Sequence, residues 1–521
     1  MSNEYEDIHI ETSMVRSWEE ERTFNDVLYD WMSSAPWLAI SIAAHVLAYF
    51  ILSAIPWQLL SGDSDTELQA KVEPPPEEIL EEDPEEPPEE LEEIEPIEEP
   101  VLKDAEISDH NETEDDQEYE ESEGDPDFNS DSPFDSDAFN DVIGIGGGAG
   151  GKFGNRRGGR RNLKAGKGIE QALRDGLEWL KNHQSPDGSW DCDGFSANCG
   201  EIGSTVCDGD GHAQHDVGVT GLALLAFLGE GNTTTEGQYK KTVAAGIKWL
   251  KGQQDPDTGL LGEKSSHEFL YNHSLATLAV CEAYFASRSP LLKKTAQEAV
   301  NYIQRARNPY GAWRYDVPPI GDNDTSVTGW MIFALAAAAE AGLEVDEGAF
   351  DGALSWIDEV TDPATGRIGY DSFGSLSSRT VANEHYPREK GEAMTGVGML
   401  CRIFIANHKG EDISKLDILE KHAELMKRTP PEWDPTGFGC DMYYWYYGTY
   451  AMFQMGGNHW RAWEKAMEKA VVESQRRDGD EKGSWDPIGP WGYAGGRVYS
   501  TALMTLSLEV YFRYSRVLGA R

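Results

Sequence analysis

From residue 165 onward the chain alternates two kinds of apolar pattern, six times over. The first kind is amphipathic. In 169–183 (IEQALRDGLEWLKNH), Ala172, Leu173, Leu177 and Leu180 fall on one face at helical spacing. Its counterparts are 240–254, 292–307, 350–360, 413–428 and 460–477. The second kind, at 215–228, 271–285, 322–338, 392–404, 443–455 and 497–512, is apolar nearly all round, which predicts a buried helix. Between the two lies a turn rich in Gly, Asp and Pro, often with a Trp to pack it: Gly188 and Trp190, Gly259, Gly311 and Trp313, Gly366, Trp433, Gly483 and Trp485. A threonine recurs just inside each buried segment, at Thr220, Thr277, Thr328, Thr395, Thr449 and Thr501. The intervals of 57, 51, 67, 54 and 52 residues suit a repeated helix pair.

Six amphipathic and six buried helices are economically arranged as an outer ring around an inner one, an all-α (α/α)6 toroid. An open solenoid would need polar caps at both ends, yet 501–514 is as apolar as the central segments. Closure is therefore predicted. The stretches Gln184-x-x-x-Gly188-x-Trp190, Gly311-Ala-Trp313 and Gly483-Ser-Trp485 are similar to the repeats of squalene cyclases and protein prenyltransferase β subunits, the prenyltransferase and squalene oxidase repeat. The resemblance spans 165–521 and implies a toroid with a central apolar cavity. The same fold also serves thioester domains and binding modules, so it does not by itself give a function.

Four residues before each threonine stand Asp216, His273, Asp324, Gly391, Trp445 and Arg497, which the repeat predicts at the mouth of the cavity. Asp216 and Asp324 can equally be helix caps. Asp322-Asn323-Asp324-Thr325-Ser326 resembles the acid motif Asp-x-Asp-Asp-Thr of bacterial squalene cyclases, with Thr325 in place of one Asp. The resemblance implies Asp324 as Brønsted acid, with Asp322 in the same motif; Asp216 and His273, which the repeat puts at the mouth, are the further catalytic candidates. Those cyclases have two helical domains, whereas this chain has repeats for one. Tyr271, Trp330, Tyr443, Tyr444, Trp445, Arg497 and Tyr499 are the candidate cavity residues. Gly439-Cys440-Asp441 resembles the Asp-x-Cys segment of a prenyltransferase zinc site, but in reversed order and without a later His. Cys192, Cys199 and Cys207 lie together with His212, His215 and several Asp before the first buried helix. Outside the cytoplasm, a disulfide between two of them is the expected arrangement, and a metal site the alternative. No cofactor is predicted.

Composition divides the chain. The formal net charge of −49 comes largely from a Glu/Asp/Pro tract at 74–100, which repels itself and predicts a disordered linker over 58–164. So large an acid excess excludes nucleic acid as a partner. The Gly-rich end of the linker carries Arg156, Arg157, Arg160 and Arg161. Residues 37–57 are uncharged and bounded by Trp37 and Trp57, about 30 Å apart on a helix, which predicts one retained transmembrane helix. Arg16 and Arg22 before it favour a cytoplasmic 1–36 and an extracytoplasmic, periplasmic toroid at 165–521. Ser41 and His45 share a face of that helix. Together with the Pro/Glu-rich tract they resemble the TonB family of energy transducers, which implies docking to a proton-driven membrane motor. The sequence thus predicts an anchored toroid that binds an apolar, isoprenoid-like or extended ligand, with a terpene-cyclase-like enzyme as the alternative.

Overall fold

The computed structural model describes residues 167–200, 206–309 and 311–510. The expected span at 37–57, with Ser41 and His45, and the linker at 58–164 lie outside the described residues. Among those that are described, no helix is long and apolar enough to cross a membrane.

Twelve α-helices and no strand occur among the described residues: α1 (Lys167–Asn182), α2 (Asp216–Gly229), α3 (Lys240–Gly252), α4 (Phe269–Ser287), α5 (Pro290–Arg305), α6 (Thr325–Glu340), α7 (Glu347–Glu359), α8 (Ala393–His408), α9 (Ile418–Met426), α10 (Met442–Met455), α11 (Gly457–Val472) and α12 (Gly492–Leu508). Odd-numbered helices are amphipathic and even-numbered ones almost wholly buried, as the patterning predicts. The predicted helix at 413–428 is shorter, a 3-10 turn at Ile413–Lys415 followed by α9. Each even helix packs on the next, and α12 returns to α2, so the inner ring closes. The outer helices α3, α5, α7 and α9 each pack against the two even helices that flank them in sequence, α11 packs on α10 and α1, and α1 also lies against α12 and α2. The fold is an (α/α)6 toroid.

The recurring residues have a common mechanical task. The Gln184 side chain donates to the carbonyls of Gly188 (2.9 Å) and of Thr242 on the next outer helix (3.0 Å). Gln254 does the same to Gly259 and Thr295. Gln475 donates to Gly483 (2.9 Å) and to Ala172 (2.7 Å) on α1, so the last repeat is clamped to the first. Gly188 is required in this joint. It sits at φ +101°, and a Cβ there would come within 2.5 Å of the Ala245 carbonyl oxygen. The indole N–H groups of Trp190, Trp313 and Trp485 donate to Leu180, Ile303 and Val471, tying each turn to its own outer helix. The backbone N–H groups of the same tryptophans donate to Thr220, Thr328 and Thr501, and Ile368 N–H to Thr395. In these four repeats the threonine is thus the inner helix's acceptor for the turn, and it faces outward; on α4 His273 accepts from the turn instead, and on α10 Thr449 accepts from the Trp463 indole.

Candidate functional site

A cavity of about 520 Å³ opens at the end of the toroid where the inner helices begin. One register of those helices supplies its wall. Gly218, Leu275, Ser326, Ala393 and Tyr499 all stand two residues before the repeated threonine, and all line the cavity. The corresponding Tyr447 is fully buried, in an aromatic cluster with Trp330, Phe333, Tyr443 and Tyr446. Phe404 and Tyr450 join Phe333 deeper in the ring, so aromatic side chains fill this part of the interior. Loops complete the mouth with His212, His267, Arg314, Tyr315, Tyr370, Asp371, Arg379 and Trp491.

This register explains where the predicted site residues lie. Residues four apart share a helix face, while two residues apart are rotated by about 200°. Counting back four from an outward-facing threonine therefore selects outward-facing residues. Asp216 accepts from Cys192 N–H (2.9 Å) and borders a smaller pocket instead; burial pushes its carboxyl up to about 6. His273 is fully buried between the ring layers. Its Nδ1 accepts from Leu261 N–H (3.0 Å), its Nε2 contacts the Ala299 carbonyl (3.1 Å), and burial lowers its pKa to about 3. Trp445 is buried against Trp433, and Tyr444 donates to the Met426 carbonyl (3.2 Å). Arg497, also buried, binds Asp208, Ser484 and Asp486. None of these lines the central cavity. Tyr271, Trp330, Tyr443 and Tyr499 do.

The acid-like motif is split among several tasks. Asp322 is exposed on the rim beside Arg314 (3.6 Å). Asn323 accepts from Asn308 and from Ala312 N–H, holding the turn. Thr325 donates outward to the Gly369 carbonyl (2.6 Å) and accepts from Trp356, so it cannot tune a group in the cavity. Asp324 caps α6: its Oδ1 accepts from Val327 N–H (2.8 Å) and from the Ser326 hydroxyl (2.7 Å), and its Oδ2 has no partner. Tyr271 donates to Ser326 in turn. A chain of hydroxyls thus runs from the cavity wall to a buried carboxylate that burial pushes up to about 6. Across the cavity Arg379 and Asp441 form a buried pair (3.3 Å), with the guanidinium over Trp491. Burial outweighs the guanidinium and raises the Asp441 pKa. The Arg379 Nε has no hydrogen-bond partner.

Tyr315, Tyr370 and Arg379 are cavity residues that the patterning could not reveal, because they come from loops with no repeat. Asp441 carried a signal, as the polar residue immediately before an aromatic buried helix, which it caps (Tyr444 N–H to Oδ1, 3.1 Å). All six cysteines are free thiols in this structure. The Asp208–Gly211 run packs on a kink in α12, where Arg497 N–H donates to the Gly209 carbonyl (2.8 Å).

No family model matches the sequence, and no curated protein matches it. Among solved structures, the chain is similar to the alpha-1,6-mannanase GH76A of Salegentibacter sp. HEL1_6 (12% identity, TM-score 0.45, covering 66% of this chain and 98% of that one). It is also similar to an alpha-amylase from Clostridium perfringens (12%, 0.45, 67% and 99%) and to the type II terpene cyclase MstE from Scytonema (13%, 0.40, 66% and 97%).

Proposed function

We propose that the toroid binds an elongated amphiphile, with an apolar isoprenoid-like body in the ring and a hydrogen-bonding head at the mouth. The division of the cavity wall carries this reading. Val219, Leu222, Leu275, Trp330 and Met394 supply apolar surface from the inner helices, and Arg314, Arg379, His212 and His267 gather in the loops and turns beside them. A volume of about 520 Å³ lies within the range of about 300–1,000 Å³ typical of small-molecule sites. Trp330 and Trp491 line the wall, so their emission should report occupancy. Titrating the full chain with geranylgeraniol should give a saturable change that Leu275→Trp, which narrows the cavity, abolishes. Squalene, lacking a head, should bind more weakly. An unchanged or unsaturable signal with both lipids would sink the reading.

A second reading, an acid–base enzyme, is favoured by one observation, the Tyr271–Ser326–Asp324 chain. Its hydrogen bonds point toward Asp324, and near neutral pH a carboxyl with a pKa of about 6 is mainly ionised. The arrangement therefore suits a proton acceptor better than the strong acid that alkene protonation demands. Turnover of a prenyl substrate that Asp324→Asn abolishes would favour the enzyme over the binding module.

The uncharged span at 37–57 and the Ser41/His45 spacing support a further part of the proposal: a membrane anchor that meets a proton-driven motor. His45→Ala should then abolish co-purification with motor subunits, and unchanged association would remove that part alone.

A further inference from the structure

The loop between α1 and α2 brings three metal-binding side chains together away from the cavity. His183, just past the end of α1, has its Nε2 3.4 Å from Cys207 Sγ and 3.6 Å from Cys199 Sγ. All three donor atoms lie within 4.8 Å of one another. We propose that His183, Cys199 and Cys207 bind a thiophilic divalent cation of the zinc class, which fastens this loop to the toroid.

Geometry is the first support. With Zn–S near 2.3 Å and Zn–N near 2.0–2.1 Å, a tetrahedral ion sets its sulfur and nitrogen ligands about 3.5 Å apart. The two observed separations bracket that value. The imidazole is the second support. Its Nδ1 lies 2.8 Å from the Trp179 carbonyl, a contact that needs the proton on Nδ1 and leaves one lone pair on Nε2. One lone pair accepts one donor in line, yet two sulfurs face it. A cation satisfies all three groups at once. The ring is also held in place by stacking on Trp179 (4.1 Å, 21°), and the Cys207 N–H donates to Cys199 Sγ (3.2 Å). Such contacts around the ligands fix a metal-binding histidine and stabilise a thiolate.

The site's position gives it a consequence. The same loop continues through Asp208, which binds Arg497, to His212, Gln214 and His215 in the cavity wall. Fastening Cys199 and Cys207 to α1 therefore holds one side of that wall.

The test uses tag-free full chain from zinc-supplemented expression, with metal content measured by mass spectrometry. The wild type should hold one zinc per chain, Cys440→Ser should keep it, and Cys207→Ser and His183→Gln should lose it. Cobalt-loaded wild type should show thiolate-to-cobalt charge-transfer absorption, a readout that does not depend on how well the variants fold. Metal-free wild type would overturn the proposal, whether Cys199 and Cys207 are then joined by a disulfide or both alkylate freely. Full zinc retention in both variants, or a cobalt spectrum without thiolate bands, would also overturn it.

Discussion

The two faces of one inner helix, α6, behave as different proteins would. On the outward face Thr328 accepts from Trp313 N–H, and Thr325 is bonded to Gly369 and Trp356. On the inward face Ser326 links Tyr271 to a carboxylate with one unpartnered oxygen. The outward face repeats around most of the ring, with a threonine accepting from the turn on four of the six inner helices, because each inner helix must meet a turn and an outer helix. The inward face changes from Gly218 to Leu275, Ser326, Ala393 and Tyr499, because one cavity needs one of each. In a closed repeat, what recurs reports assembly, and what fails to recur reports the ligand.

The largest effect should follow from breaking the outward face. Trp313 is fully buried and bonded through both its indole and its backbone N–H. Trp313→Ala should cost about 3–5 kcal/mol by cavity formation alone, seen as a clear fall in the thermal or denaturant midpoint. The inward face should answer differently to a change of similar size. Leu275→Trp should block ligand with a much smaller change in midpoint, since its side chain enters open volume. Equal destabilisation by the two would erase the distinction between the faces.

A second contrast is in pH dependence. Asp324 has its pKa raised from 3.8 to about 6, so the folded state holds its proton over a range where the unfolded state has released it. Stability from this group is present below about 4 and is lost as pH rises to about 6, by at most roughly 3 kcal/mol. Asp324→Asn keeps a helix cap and removes that penalty. The variant should match wild type near pH 4 and be the more stable near pH 8, in denaturant titrations at both. His273 has the opposite sign: lowered to about 3, it favours the fold above pH 6.5 and withdraws that support on acidification. A wild-type advantage at pH 8 would contradict the burial of an ionised Asp324.

Much of this architecture could be read from the sequence because ring closure imposes a period. The twelve helices, their alternation and the closure follow from where apolar residues recur, and Gln475 on Ala172 is that periodicity completed. The cavity was less legible for a geometric reason. The recurring spacing marks the face opposite the hole, and α4 and α10 begin a turn earlier than the spacing implies, so His273 and Trp445 fall inside the wall rather than at its edge. Tyr315, Tyr370 and Arg379 come from loops, where no period exists to be read. His183 left a faint mark. It occupies the place before the clamping glutamine where the other two clamps have Gln253 and Ser474, so it breaks the repeat beside three cysteines.

The finest comparison pairs two small substitutions two residues apart on α6. Thr328→Val is nearly isosteric and leaves the buried Trp313 N–H without its acceptor, which should cost about 1–3 kcal/mol and leave ligand affinity per folded molecule unchanged. Ser326→Ala removes a hydroxyl that lines the cavity, and the groups it served keep other options: Asp324 retains Val327 N–H, and Tyr271 borders the cavity. Its stability cost should be about 1 kcal/mol or less. The Ser326 hydrogen bond lowers the Asp324 pKa against the larger effect of burial. Its loss should therefore move the pH midpoint of ligand binding upward, a shift that Thr328→Val does not produce. If both substitutions moved the midpoint alike, the 200° that separates them on the helix would not be what separates structure from function.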